Sequence, residues 1–129
     1  MKVYRWEDPE GYGPWSSKNY MPAFLADWYM QADPIQLDDI HDGPNAMPLF
    51  ERQLEYAHFV GQCTAKYGLF AFKSLLQEHT YISTEWAELF QMAGLALWVY
   101  EVQEGGYIED DIQIVFDVYK ARKVRSITR

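Results

Sequence analysis

The stretch Leu95 to Val102, reading LALWVYEV, constrains the fold more than any other part of the chain. It has the length of a strand and is apolar almost throughout, whereas a strand with one wet face alternates apolar and polar residues, so cover is expected on both of its faces. Such a strand belongs inside a layered structure. With 129 residues the chain has enough length for one core, and a single domain spanning 1–129 is expected.

Other elements can be placed around that strand. Val3-Tyr4-Arg5-Trp6-Glu7 alternates, is rich in β-formers and stops at the turn cluster Asp8-Pro9-Glu10-Gly11, which predicts a first strand. Gln103 to Gly106 makes a turn after Val102, and Ile112 to Phe116 reads as the next strand. The simplest pairing is an antiparallel hairpin, its loop lengthened by Glu109-Asp110-Asp111. Val124 to Ile127 adds a further strand. Pro48 opens a helix in which Phe50, Leu54, Ala57, Phe59 and Val60 recur at near-helical spacing up to Gly61. A second helix is expected over Phe72 to His79, with Leu75 and Leu76 inward. A third starts behind Ser83 or Thr84, presents Trp86, Leu89, Phe90 and Met92 to the core, and ends at Gly94. The expected class is α+β: a small mixed, mostly antiparallel sheet with about three helices packed on it.

Between Gly13 and the predicted first helix the chain carries Pro14, Pro22, Pro34, Pro44 and Pro48, so regular elements there must be short. At most one short helix, Pro22 to Met30, is expected. The same stretch holds Trp15, Tyr20, Phe24, Trp28 and Tyr29. A segment with that many rings is expected to lie draped over the core across residues 16–47, and Trp15, Tyr20, Trp28 and Tyr29, with Asp38, Asp39 and Asp42, form a candidate interaction surface.

Charge is divided unevenly along the chain. The first 117 residues carry all 19 acidic groups and only Lys2, Arg5, Lys18, Arg52, Lys66 and Lys73, while the last twelve carry Lys120, Arg122, Lys123, Arg125 and Arg129 and no acid. A body of that sign repels phosphate backbones and anionic lipid, so the partner expected is a protein with a basic surface, not a nucleic acid or a membrane. The basic end reads as a solvated strand edge or a frayed end. No apolar run reaches the length of a membrane span, the N-terminus lacks the pattern of a secretory signal, and the lone Cys63 has no disulfide partner, which together point to the cytoplasm. Burial is the expected fate of Cys63. An edge strand at either terminus leaves a dimer open.

The usual chemical signatures are missing. His41, His58, His79 and Cys63 do not stand at metal-pair spacings, and the acidic group Asp38, Asp39, His41 and Asp42 lacks the glycine and glutamate of a calcium loop. Gly11-Tyr12-Gly13 runs into Pro14 where a phosphate cradle would open a helix with free amides. No metal or cofactor is expected.

Taken in order, Val3-Tyr4-Arg5, the run Tyr67 to Leu75 (YGLFAFKSL), Ala93-Gly94-Leu95 through Tyr100-Glu101-Val102, and Gln113 to Phe116 resemble a group of small uncharacterised phage and bacterial proteins. The likeness covers roughly residues 1 to 15 and 65 to 127 and implies a mobile-element setting. The same order distantly resembles an ADP-ribosyltransferase. That resemblance implies an arginine gripping a nicotinamide dinucleotide (Arg5), a bracing serine (Ser74), and a late acidic residue that steadies the ribosyl cation. Gln113 occupies the place of that acid, and Glu109 and Asp111 are the nearest carboxylates, so the catalytic part is incomplete. The leading expectation is therefore a non-enzymatic, acidic interaction protein that binds and modulates a host protein. The alternatives are a divergent or degenerate ADP-ribosyltransferase-like enzyme and a virion or assembly component.

Overall fold

The computed structural model describes residues 1–13, 53–65, 68–109 and 114–129. The expected helix over Pro22 to Met30 and the draped segment lie outside these residues. Among the described residues ten short elements follow in chain order: β1 (Lys2–Glu7), α1 (Gln53–Gln62), β2 (Leu69–Ala71), α2 (Leu75–Tyr81), α3 (Thr84–Met92), β3 (Ala96–Val102), β4 (Tyr107–Glu109), β5 (Ile114–Phe116), a 3-10 turn (Val118–Lys120) and β6 (Ala121–Ile127). The strands form two three-stranded antiparallel sheets, ordered β1-β3-β6 and β2-β5-β4. The architecture is α+β, as expected, with every described pairing antiparallel.

A two-way bridge between Tyr4 and Phe72 stitches the sheets together: Tyr4 N–H donates to the Phe72 carbonyl at 2.9 Å and Phe72 N–H to the Tyr4 carbonyl at 2.8 Å. The register of β1 on β3 sets Val3 opposite Tyr100, Arg5 opposite Trp98 and Glu7 opposite Ala96, so these residues share one face of the first sheet. That face meets the second sheet in a core of Val3, Tyr100, Val102, Ala71, Ile114 and Phe116. The opposite face, with Trp6 and Leu97, packs on α2 and α3 through Phe72, Ile82, Trp86, Ala87, Leu89 and Phe90. β3 thus lies in a middle layer covered on both sides, which is why its sequence does not alternate.

The helix ends follow local chemistry. Ser83 caps α3, its hydroxyl accepting from Trp86 N–H at 3.2 Å, and Gly94, at φ 91°, takes the left-handed conformation that stops the helix before β3. Ser74 caps α2 in the same way, accepting from Gln77 N–H at 3.1 Å.

Several expectations are corrected. Leu95 to Val102 does not form a hairpin with the strand that ends at Phe116: β3 has its two neighbours in the terminal strands, while Tyr107–Glu109, read as loop, forms β4 and pairs with β5. The second helix begins after Ser74 and not at Phe72, because Phe72 is spent on the bridge to Tyr4. Leu75 and Leu76 face outward, Leu76 being 79% exposed; the inward positions around α2 are Glu78 and Ile82. Leu54 and Met92 are likewise exposed, whereas Trp86, Leu89 and Phe90 are buried as expected. Cys63 is buried. Among the described residues no helix is long and apolar enough to cross a membrane.

Candidate functional site

Among the described residues the buried carboxylates are Glu7, Glu78 and Asp117, and the first two lie one on each face of β1 or close beside it. Glu7, 1% exposed, ends β1 on the face shared with Tyr100 and gathers three partners from three strands. Arg5 Nε donates to its Oε2 at 3.1 Å, the Tyr100 hydroxyl approaches Oε1 at 2.8 Å and Oε2 at 3.0 Å, and Lys123 Nζ pairs with Oε1. Lys123 also stands 4.1 Å from the centre of the Trp98 ring. Burial, and after it the Glu7 charge, pushes the Tyr100 phenol well above its ordinary value, so it stays protonated and donating. With both oxygens engaged, Glu7 ties β1, β3 and β6 together and has no oxygen left to offer a substrate.

Glu78, with no exposed surface, makes a tie on the helical side through one of its oxygens. Its Oε1 accepts from Trp6 Nε1 at 2.8 Å and from Arg129 Nη1 at 2.8 Å, which fastens the C-terminal residue to the core. His79 Nδ1 lies 2.6 Å from the Leu75 carbonyl and 3.0 Å from Glu78 Oε2. The Leu75 carbonyl can only accept, so in that hydrogen bond Nδ1 is the donor. Burial, the largest influence, raises the Glu78 acid above the usual carboxylate range, against the opposing pull of Trp6, Arg129 and His79.

That direction fixes the sign of a pH effect. A folded-state acid that is raised binds its proton more readily than the unfolded chain does, so its contribution to stability is fully present below the unfolded value and is lost as pH rises through the folded one. Glu78→Gln keeps an amide oxygen for Trp6 and Arg129 but cannot titrate. The stability of the wild type minus that of Glu78→Gln is therefore expected to fall as pH rises from the usual carboxylate range toward neutrality, read from urea midpoints at a series of pH values. A difference that stays flat or climbs with pH contradicts the assignment.

The residues picked out for dinucleotide chemistry have other work. Arg5 also donates to the Phe70 carbonyl at 2.9 Å and the Gly11 carbonyl at 3.4 Å, so its guanidinium is clamped between β1, β2 and the loop after β1. Ser74 is the α2 cap, and Glu109, on β4, pairs with Lys73 Nζ at 3.4 Å. Asp111 and Gln113, like Trp15, Tyr20, Trp28, Tyr29, Asp38, Asp39 and Asp42, lie outside the described residues. Among the described residues no three His, Cys, Asp or Glu side chains stand together as a metal-holding group. An open groove of about 670 Å³ runs between α1 and β4, lined by Leu54, His58, Phe59, Tyr107, Ile108 and Lys120 among others.

Sequence reasoning missed the groove between α1 and β4 and the burial of Glu78. Pairing of Arg5 with Glu7 is implied by their shared strand face, but nothing local marks Glu78 as buried between Gln77 and His79. Among the described residues β6 forms the outer edge of the first sheet, and its central residues Arg122, Lys123, Val124, Arg125 and Ser126 are all exposed.

Searches of curated proteins and of solved structures return no match to this chain, so the likeness to an ADP-ribosyltransferase gains no support from either. A family model described as "Bacteriophage T4 Y00F protein" matches residues 1–129, and the chain accordingly belongs to that phage protein family.

Proposed function

We propose that this phage-family protein acts by contact and not by catalysis, binding and modulating a host protein. The observation that carries the reading is the commitment of the groups a transferase would need: Arg5 is held by Glu7, Phe70 and Gly11, Ser74 closes a helix end, and Glu109 pairs with Lys73. A guanidinium whose three nitrogens each donate to a buried carboxylate or a carbonyl has few donors left for a phosphate. The uneven charge supports the same reading, because an acidic body steers toward a partner with a basic surface. The test is affinity capture from host lysate with the purified protein as bait, at low and at physiological salt. One host protein retained in stoichiometric amount, more strongly at low salt, is the expected outcome. Capture of nothing above background, or turnover of a small metabolite by the purified protein alone, overturns the proposal.

A further inference from the structure

We infer that β6 is a docking edge that takes an acidic, extended segment of a partner protein as an added antiparallel strand. The inference rests on the contact function proposed above and names the chemistry of the partner where it meets this edge.

β6 sits at the end of the β1-β3-β6 sheet, and among the described residues no strand pairs with its other side. An edge of seven residues is long enough for strand addition, in which main-chain hydrogen bonds supply the grip and alternate side chains the selectivity. The side chains on this edge are arranged unusually. Arg122 and Arg125 are three apart in sequence, which in a regular strand places them on opposite faces. Here the register shifts between Val99 and Tyr100: Val99 faces Arg125 while Glu101 faces Arg122. Val99 and Glu101 are two apart on β3 and so share a face, which puts Arg122 and Arg125 on one face as well. The extra residue taken up by the bulge gathers two guanidiniums on one side of an exposed edge, both exposed and neither ion-paired among the described residues.

Lys123 does not join them. It turns inward to Glu7 and Trp98 and thereby locks the edge to the body, so the strand is presented rigid. Tyr119, 69% exposed, lines the same surface hollow as Arg122 and offers an aromatic contact there.

Charge selects the occupant. Pairing of β6 with β6 of a second copy would lay Arg122 and Arg125 against their own equivalents, and like charges across a strand pair repel. An extended segment with carboxylates on the same face as the two arginines meets opposite charge, and the fork of each guanidinium can donate two hydrogen bonds to one carboxylate. A partner of divided charge results, basic against the acidic body and acidic along β6.

The probe is a fluorescein-labelled synthetic peptide alternating Glu and Val, with two controls: the same peptide with Lys for Glu, and the Glu peptide N-methylated at alternate amides. Fluorescence anisotropy with the full chain is expected to show salt-sensitive binding of the Glu peptide, little of the Lys peptide, and weakening by N-methylation. In the double variant R122E/R125E, whose substitutions are exposed and leave the core untouched, binding is expected to weaken about tenfold or more, since two charge-assisted contacts become repulsive. Circular dichroism and the urea midpoint confirm that the variant is folded. Equal binding by wild type and R122E/R125E, indifference to N-methylation, or a wild-type dimer in sedimentation overturns the inference. Capture of the same host protein by both forms leaves the proposed function standing and removes only the edge; capture by neither removes both.

Discussion

Glu7→Ala is expected to cost the fold about 3–5 kcal/mol, the loss that follows when one partner of a buried ion pair is removed and its counter-charges stay behind. Arg5 cannot escape to water, because its side chain is only 10% exposed and the backbone carbonyls of Phe70 and Gly11 hold it in place. Tyr100, equally confined, is left with a hydroxyl proton and no acceptor, at a further penalty typical of a buried unsatisfied donor. Lys123, one third exposed, can swing outward, but doing so frees β6 from the tie that joins it to β1. Total stabilities of small domains lie at about 5–15 kcal/mol, so the variant is expected to unfold at much lower urea, followed by tryptophan fluorescence. Glu7→Gln keeps an acceptor for Tyr100 and removes the charge, and is expected to fall between. A Glu7→Ala loss below about 1 kcal/mol contradicts the account, since it places the pair in the range of solvent-screened surface bridges.

The sequence was informative where a residue's role is decided locally. A run without alternation marked β3 as covered on both faces, Ser83 and Gly94 marked the two ends of α3, and the alternation of Val3 to Glu7 marked β1. It was uninformative where the role depends on rotation or on distant partners. α2 has seven residues, two turns at most, and so short a helix can turn either Leu75 and Leu76 or Glu78 toward the core without breaking any local rule. Burial of Glu78 is decided by Trp6 and Arg129, 72 and 51 residues away. Division of the strands into two sheets escaped notice because β4 is three residues long and follows a turn at Gly105, whose φ of 80° only a glycine adopts readily. For the candidate site the same division holds. The basic end was legible as an exposed strand edge, but the bulge that puts Arg122 and Arg125 on one face arises from pairing with β3 and has no signature in the residues themselves.

Phe90→Ala is expected to remove about 3–5 kcal/mol by another route, loss of apolar burial together with an unfilled cavity. Phe90 is 1% exposed and stands at the centre of the helical layer, its ring 5.4 Å from that of Trp6 in an edge-on arrangement and 5.9 Å from that of Trp86. Geometry of this kind adds about 0.5–1.5 kcal/mol beyond the area buried. Collapse to fill the space is obstructed on both sides. Trp6 is fixed at its indole nitrogen by Glu78, and Trp86 lies in the first turn of a helix whose start is pinned by Ser83. A site that cannot relax keeps its cavity, and the penalty then lies at the upper end of the range. Met92→Ala, two residues along the same helix at a position 72% exposed, removes a side chain of similar volume and is expected to shift the midpoint by no more than about 0.5 kcal/mol. The comparison separates burial from helix propensity, because both variants place alanine in α3 and the gain in intrinsic preference, larger from Phe than from Met, opposes the loss expected for Phe90→Ala. Equal effects of the two substitutions on the urea midpoint contradict the packing described for this layer.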